Sequence, residues 1–135
     1  MNMKDQVCIV TGGAGSLGLH SALAMLEQGA RVLLVDRHAD ALDAARARAA
    51  SHGDRVATFA ADVAKPDETR AYVDDALRRW GRLDVLVCNA GINGAIQPIA
   101  DYPDDVFDAV MAVNVKGTFL ACKHALPRMA DGGSI

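Results

Sequence analysis

The sequence predicts an α/β fold: a doubly wound parallel sheet with helices on both faces. Three observations carry this. Short apolar runs alternate with stretches of helical period along the chain, in the order β-α-β-α-β-α-β-α. The runs are apolar at nearly every position, as strands covered on both faces are. The segments between them are long enough for helical crossovers, whose right-handedness makes successive strands parallel.

The first strand is Val7-Cys8-Ile9-Val10, β-branched and apolar. It breaks into Thr11-Gly12-Gly13-Ala14-Gly15-Ser16-Leu17-Gly18, and a helical pattern follows at Leu19, Ala22, Leu23 and Leu26. Gly29 suits that helix's C-terminal cap. Arg31–Asp36 is the second strand, and an alanine-rich helix is predicted over 39–52, ending at Gly53. The third strand covers 55–61 and closes on Asp62-Val63. Pro66-Asp67-Glu68 opens the third helix, since proline fits a first turn and acids fit the dipole. Its inner stripe is Val73, Ala76, Leu77 and Trp80, and Gly81 ends it. The fourth strand covers 83–88 and runs into Asn89-Ala90-Gly91. After an irregular stretch with Gly94 and Pro98, Pro103-Asp104-Asp105 begins a helical region reaching about Met129.

The chain has 135 residues, 51% hydrophobic and 23% charged, enough for one domain with a core of its own. A net charge of -3 gives no electrostatic case for nucleic acid, and no apolar run approaches membrane-spanning length. No secretory leader is expected, because the first residues lead straight into a strand. Cys8, Cys88 and Cys122 lie far apart in apolar stretches and show no metal-ligand spacing; buried thiols in a reducing cytoplasm are expected, with no metal site.

Ligands of such sheets lie along the carboxyl ends of the strands, and each of the four ends carries a suggestive residue. The glycine turn opens a helix, so backbone N–H groups and the positive dipole end converge on one spot suited to phosphate. Two glycine registers fit: GxGxxG from Gly13 to Gly18, or a turn from Thr11-Gly12 to Gly18. Asp36 follows Gly18 by eighteen residues, where an acid can accept from a ribose, although it could also cap the next helix. Asp62 and Asn89 taken singly read as turn residues. All four together at strand ends are hard to explain as independent turn choices.

Thr11-Gly12…Gly18, Asp62-Val63, Cys88-Asn89-Ala90-Gly91 and Val113-Asn114-Val115 together resemble the successive motifs of the short-chain dehydrogenase/reductase family, in order and over the whole chain. The resemblance implies a Rossmann fold of strand order 3-2-1-4 and an incomplete NAD(P)-binding domain over residues 1–135. It implies that Gly12, Gly15, Ser16, Leu17 and Gly18 hold the pyrophosphate and that Asp36, flanked by Arg37, meets the ribose. Asp62 and Val63 would hold the adenine. Asn89, Ala90 and Gly91 would stabilise the sheet and line the nicotinamide side. Asn114 matches the family's catalytic asparagine, whose backbone carbonyl holds a relay water. NAD is expected over NADP, because Asp36 repels a 2′-phosphate while Arg37 pulls the other way. The partners implied are a small alcohol or ketone and, for the parent protein, copies of itself in a dimer or tetramer.

The sequence departs from the family in two ways. Ser16 stands where the middle glycine usually sits. The family's catalytic serine and Tyr-x-x-x-Lys are missing: Tyr72 is followed at that spacing by Ala76 and Tyr102 by Val106, and Ser134 comes too early. The expectation is therefore a fragment of an NAD-dependent oxidoreductase, cut short after the fourth strand and its helix and inactive alone. The edge of strand 83–88 should then be bare, and part of the stripe Val106, Val110 and Val113 exposed. A non-catalytic dinucleotide-binding protein is the main alternative, and a SAM-dependent methyltransferase a lesser one.

Overall fold

The computed structural model describes residues 2–135; Met1 lies outside the described residues. The strands are β1 (Val7–Thr11), β2 (Arg31–Asp36), β3 (Val56–Ala60) and β4 (Val85–Val87), in spatial order β3-β2-β1-β4 with every pairing parallel. The order and the parallel hand are those expected. β1 is central and wholly buried, and Ile9 lies level with Leu33 and Leu86 on its two neighbours.

Both faces of the sheet are covered. On one, α1 (Ser16–Glu27) and α2 (Ala39–Arg48) bring Leu19, Ala22, Leu26, Leu42 and Ala45 onto Cys8, Val10, Val32 and Leu34. On the other, α3 (Pro66–Trp80) packs Tyr72, Val73 and Ala76 against Val7, Ile9, Leu33 and Val35. Alternate residues of one strand thus feed two cores, as their uninterrupted apolar character requires.

The edges of the elements differ from expectation. α2 stops at Arg48, and a 3-10 segment Ala50–Arg55 bends at Gly53, where φ is 60°. The helical region after Pro103 is four pieces: α4 (Asp104–Val110), a π-helical turn Met111–Lys116, α5 (Gly117–Ala125) and a 3-10 turn Leu126–Arg128. Periodicity reads all of them alike, since a π turn holds apolar residues at nearly helical spacing. β4 is three residues long because Asn89 turns the chain back on itself, its N–H bonding the Val87 carbonyl.

The expected bare edge of strand 83–88 is also corrected. Ser134 bridges in parallel to Val85, accepting from Leu86 N–H and donating to the Asp84 carbonyl, while Ala130 N–H donates to the Leu83 carbonyl. The chain itself occupies the edge as far as Leu86. The valine stripe is partly exposed, and a second apolar row lies further out. Val106, Val110 and Val113 are half-buried, whereas Phe107, Met111, Val115 and Phe119 are exposed.

Candidate functional site

β1 runs into a turn whose shape only glycine permits. Gly12 has φ of 64°, and a Cβ on it would lie 2.9 Å from Ala90 Cα and from Asn89 Nδ2. A Cβ on Gly18 would lie 2.3 Å from the Gly12 carbonyl oxygen. α1 therefore starts pressed against the turn. Its first helical bond runs from Leu19 N–H to the Gly15 carbonyl at 2.9 Å, leaving the N–H groups of Ser16, Leu17 and Gly18 ahead of it. Gly15 caps the helix without a side chain, and no acid stands in the first turn. The donors and the positive dipole end are open to an anion.

The adjoining strand ends are fastened to this turn. Thr11 Oγ1 accepts from the N–H groups of Asn89 and Ala90, each at 3.1 Å, and donates to the Val87 carbonyl at 3.2 Å. Asn89 Nδ2 in turn donates to the carbonyls of Thr11 and Gly12 at 3.0 and 3.2 Å. This side-chain clasp takes over where the β1–β4 pairing ends at Val10 and Val87. From the other side, Asp36 Oδ2 accepts from Ala14 N–H and Oδ1 from His38 N–H, each at 3.3 Å. Asp36 thus closes a turn on His38, the residue before α2, rather than capping that helix, and it also tethers the glycine turn. Arg37 Nε donates to His38 Nε2 at 3.1 Å.

At the end of β3 the chain turns through Asp62-Val63, and Asp62 Oδ1 accepts from Ala64 N–H at 2.9 Å. The first turn of α3 reaches back: Glu68 Oε2 accepts from Asp62 N–H at 2.6 Å while Oε1 lies 3.1 Å from Lys65 Nζ. The Asp62 N–H and then Lys65 hold the Glu68 carboxyl below its ordinary range, and Glu68 raises the Lys65 ammonium in return.

Asn114 sits in the π turn. Its side chain reads a backbone, with Oδ1 accepting from Ile92 N–H at 2.8 Å and Nδ2 donating to the Ile92 carbonyl at 3.0 Å. The residue is exposed, but its side chain is not bonded back onto its own helix. Its own carbonyl accepts from Thr118 Oγ1 at 3.2 Å.

These ends surround a cavity of about 380 Å³. Every residue marked for cofactor binding lines it: Gly12, Gly15, Ser16, Leu17 and Gly18 on the floor, Asp36 and Arg37 at one end, Asp62 and Val63 beside them, and Asn89, Ala90 and Gly91 at the other end. Asn114 stands behind this wall, one residue from Val113, which does line it. His38, Ala61 and Ile92 also line the cavity and went unmarked in the sequence. Each adjoins a marked residue, and nothing but that adjacency could have signalled it.

The chain matches the family described as short chain dehydrogenase over residues 6–135. It belongs to that family. Among curated members, a 3beta-hydroxysteroid dehydrogenase 2 of Eggerthella lenta is 35% identical over 98% of this chain and 52% of its own length. A 2-(R)-hydroxypropyl-CoM dehydrogenase of Xanthobacter autotrophicus is 39% identical over 96% of this chain and 53% of its own. The crystal structure of an NAD+-bound xylitol dehydrogenase superposes with a TM-score of 0.91 at 34% identity, covering 95% of this chain and 49% of that one. The chain thus spans about half the length of the short-chain dehydrogenases it matches. Family membership removes the methyltransferase reading. Among the described residues no helix is long and apolar enough to cross a membrane, and no cluster of metal-ligating side chains forms.

Proposed function

We propose that these residues form the dinucleotide-binding half of an NAD-dependent oxidoreductase of the short-chain dehydrogenase type, acting on a small alcohol or ketone. The observation that carries this reading is the cavity itself, which gathers a glycine turn, a helix N-terminus, Asp36 and the Asp62-Val63 turn at the carboxyl ends of four parallel strands.

The residues fit the group. The missing Cβ atoms at Gly12 and Gly18 let α1 and the end of β4 close onto the turn, which brings the N–H groups of Ser16, Leu17 and Gly18 to the cavity floor where a pyrophosphate would lie. Asp36 takes the adenosine ribose hydroxyls and disfavours a 2′-phosphate, and the pairing of Arg37 with His38 weakens the opposing pull. Asp62 and Val63 take the adenine. Asn89, Ala90, Gly91 and Ile92 shape the nicotinamide end, and Asn114 fixes that wall by holding the Ile92 backbone. When bound, the dinucleotide supplies or accepts a hydride; the chain's own part is to bind it, orient it and exclude water. No Tyr-x-x-x-Lys is present to move the hydroxyl proton, so the 135 residues alone bind without turnover.

Calorimetric titration of the chain with NAD, NADP and AMP tests the reading. NAD and AMP binding, with NAD tighter than NADP, is the expected result. Binding of none of the three refutes it, and NADH formation from secondary alcohols refutes the claim of inactivity.

A further inference from the structure

We propose that Glu68 is a positioning residue for base recognition: from outside the cavity it holds Asp62-Val63 so that the turn offers an adenine one acceptor and one donor. The inference rests on the dinucleotide reading of the cavity.

Nearly every polar group of the turn is spoken for. Ala61 N–H donates to the Asp36 carbonyl at 2.9 Å, Asp62 N–H to Glu68 Oε2 at 2.6 Å, and Ala64 N–H to Asp62 Oδ1 at 2.9 Å. Lys65 N–H donates to the Asp62 carbonyl at 3.1 Å. The wholly buried Thr69 hydroxyl lies 3.3 Å from the Val63 carbonyl and 3.0 Å from that of Lys65. Within Asp62-Val63 itself, two groups have no partner among the described residues: Val63 N–H and Asp62 Oδ2. Both belong to residues lining the cavity.

A backbone donor beside a carboxylate acceptor complements adenine, whose N1 accepts and whose N6 amino group donates. Hypoxanthine reverses both, with a donor at N1 and an acceptor at O6, so the same turn opposes it at both positions. The discrimination requires the Val63 N–H and the Asp62 carboxylate to stay side by side. α5 holds the turn by shape, since a Cβ on Gly117 would lie 2.8 Å from Val63 Cγ2. α3 holds it by a hydrogen bond, and Glu68 is the group that makes it. Without that carboxylate the Asp62 N–H is left unpaired and the peptide before Asp62 is free to turn, carrying its side chain out of register. Glu68 stands one residue beyond Asp67 in the first turn of α3, and its side chain faces the outer cleft with Lys65, Arg37 and His38 rather than the nucleotide.

The test is an amide NMR titration of the 135-residue chain with AMP and with IMP, read at the Val63 amide. Wild type should prefer AMP by about tenfold or more. Glu68→Ala should reduce the preference to about twofold or less, chiefly by weakening AMP. Glu68→Gln, whose amide oxygen still accepts from Asp62 N–H, should stay within about twofold of wild type. Thermal unfolding run alongside separates a bland structural role, which lowers the melting temperature and weakens both nucleotides equally. An unchanged AMP-to-IMP ratio in Glu68→Ala overturns the inference. A Glu68→Gln ratio as low as that of Glu68→Ala overturns its hydrogen-bond basis. Wild type binding neither nucleotide instead overturns the dinucleotide reading on which it stands.

Discussion

Replacing Gly18 by alanine puts a new Cβ closer to backbone than the same change at any other glycine of the turn. The new Cβ would lie 2.3 Å from the Gly12 carbonyl oxygen, 3.0 Å from the Gly12 carbonyl carbon and 2.7 Å from Asn89 Nδ2. Two of these neighbours are backbone, so α1 must back away by roughly 1 Å to reach ordinary contact. Overpacking of this kind costs about 1–3 kcal/mol. The Asn89 Nδ2 bond to the Gly12 carbonyl, 3.2 Å long, is prised open as well, for about 1 kcal/mol more. Alanine's better helix propensity returns up to about 1 kcal/mol. The net loss is about 2 kcal/mol, or roughly 5–10 °C in melting temperature for a domain of this size. Gly15→Ala is the control, since its Cβ meets only the Gly12 carbonyl oxygen, at 3.3 Å, and its stability should change by less than about 0.5 kcal/mol. Urea unfolding of both variants measures the difference. Equal stability of Gly18→Ala and Gly15→Ala would refute the close approach of α1 to the turn.

Asp36→Ala should narrow the gap between NAD and NADP affinity in the same calorimetric titration. The repulsion it removes is bounded at about 4 kcal/mol for unit charges 4 Å apart at an effective dielectric near 20, before solvent reduces it. Asp84 carries a pH dependence. Burial pushes its carboxyl up, but Arg82 and the Val7 N–H, 2.8 Å from Oδ2, outweigh that and leave it below the ordinary 3.8. Its stabilisation is present above the unfolded-state value and fades as pH falls through the lower folded one. Asp84→Asn should therefore flatten an unfolding profile taken between about pH 5 and pH 2. Burial raises the thiols of Cys8 to about 12 and of Cys88 to about 11, so alkylation near pH 8 should spare both until urea unfolds the chain. The exposed Phe107, Met111, Val115 and Phe119, with Lys123 lying 6.0 Å over the Phe119 ring, should make the chain self-associate in light scattering. A clean monomer at high concentration would count against that.

Much of this was legible in residue order because the signals were local. Strand order, parallel pairing and the gathering of Gly12, Asp36, Asp62 and Asn89 at one end follow from the alternation of elements and the punctuation at strand ends. What escaped depends on residues brought together from a distance. Thr11 and Asn89, separated by 78 positions, clasp β1 to β4, and neither type signals its partner. Glu68 reads in sequence as an acid favoured by a helix dipole, and only the folded turn turns it into the partner of Asp62 N–H. The stripe of Val106, Val110 and Val113 was traced on one continuous helix, and the π turn breaks that helix. The edge of β4 seemed bare because a bridge as short as Ser134 to Val85 has no pattern to read.

The π turn at Met111–Lys116 makes this segment a matter of counting. It holds one residue more than an α-helical turn, and each residue of a helix advances about 100°. Everything downstream is thus wound about a quarter turn from where an unbroken helix would leave it. Gly117 nests on Val63 in that setting, and Leu120, Ala121 and Ala125 enter the core. Tighten the turn to α-helical winding with all six residues kept, and all four swing off their seats together; remove one residue as the turn closes, and they stay in place. Substitutions within the turn disturb one side chain each, but the number of residues in it sets the angle at which the rest of the chain arrives.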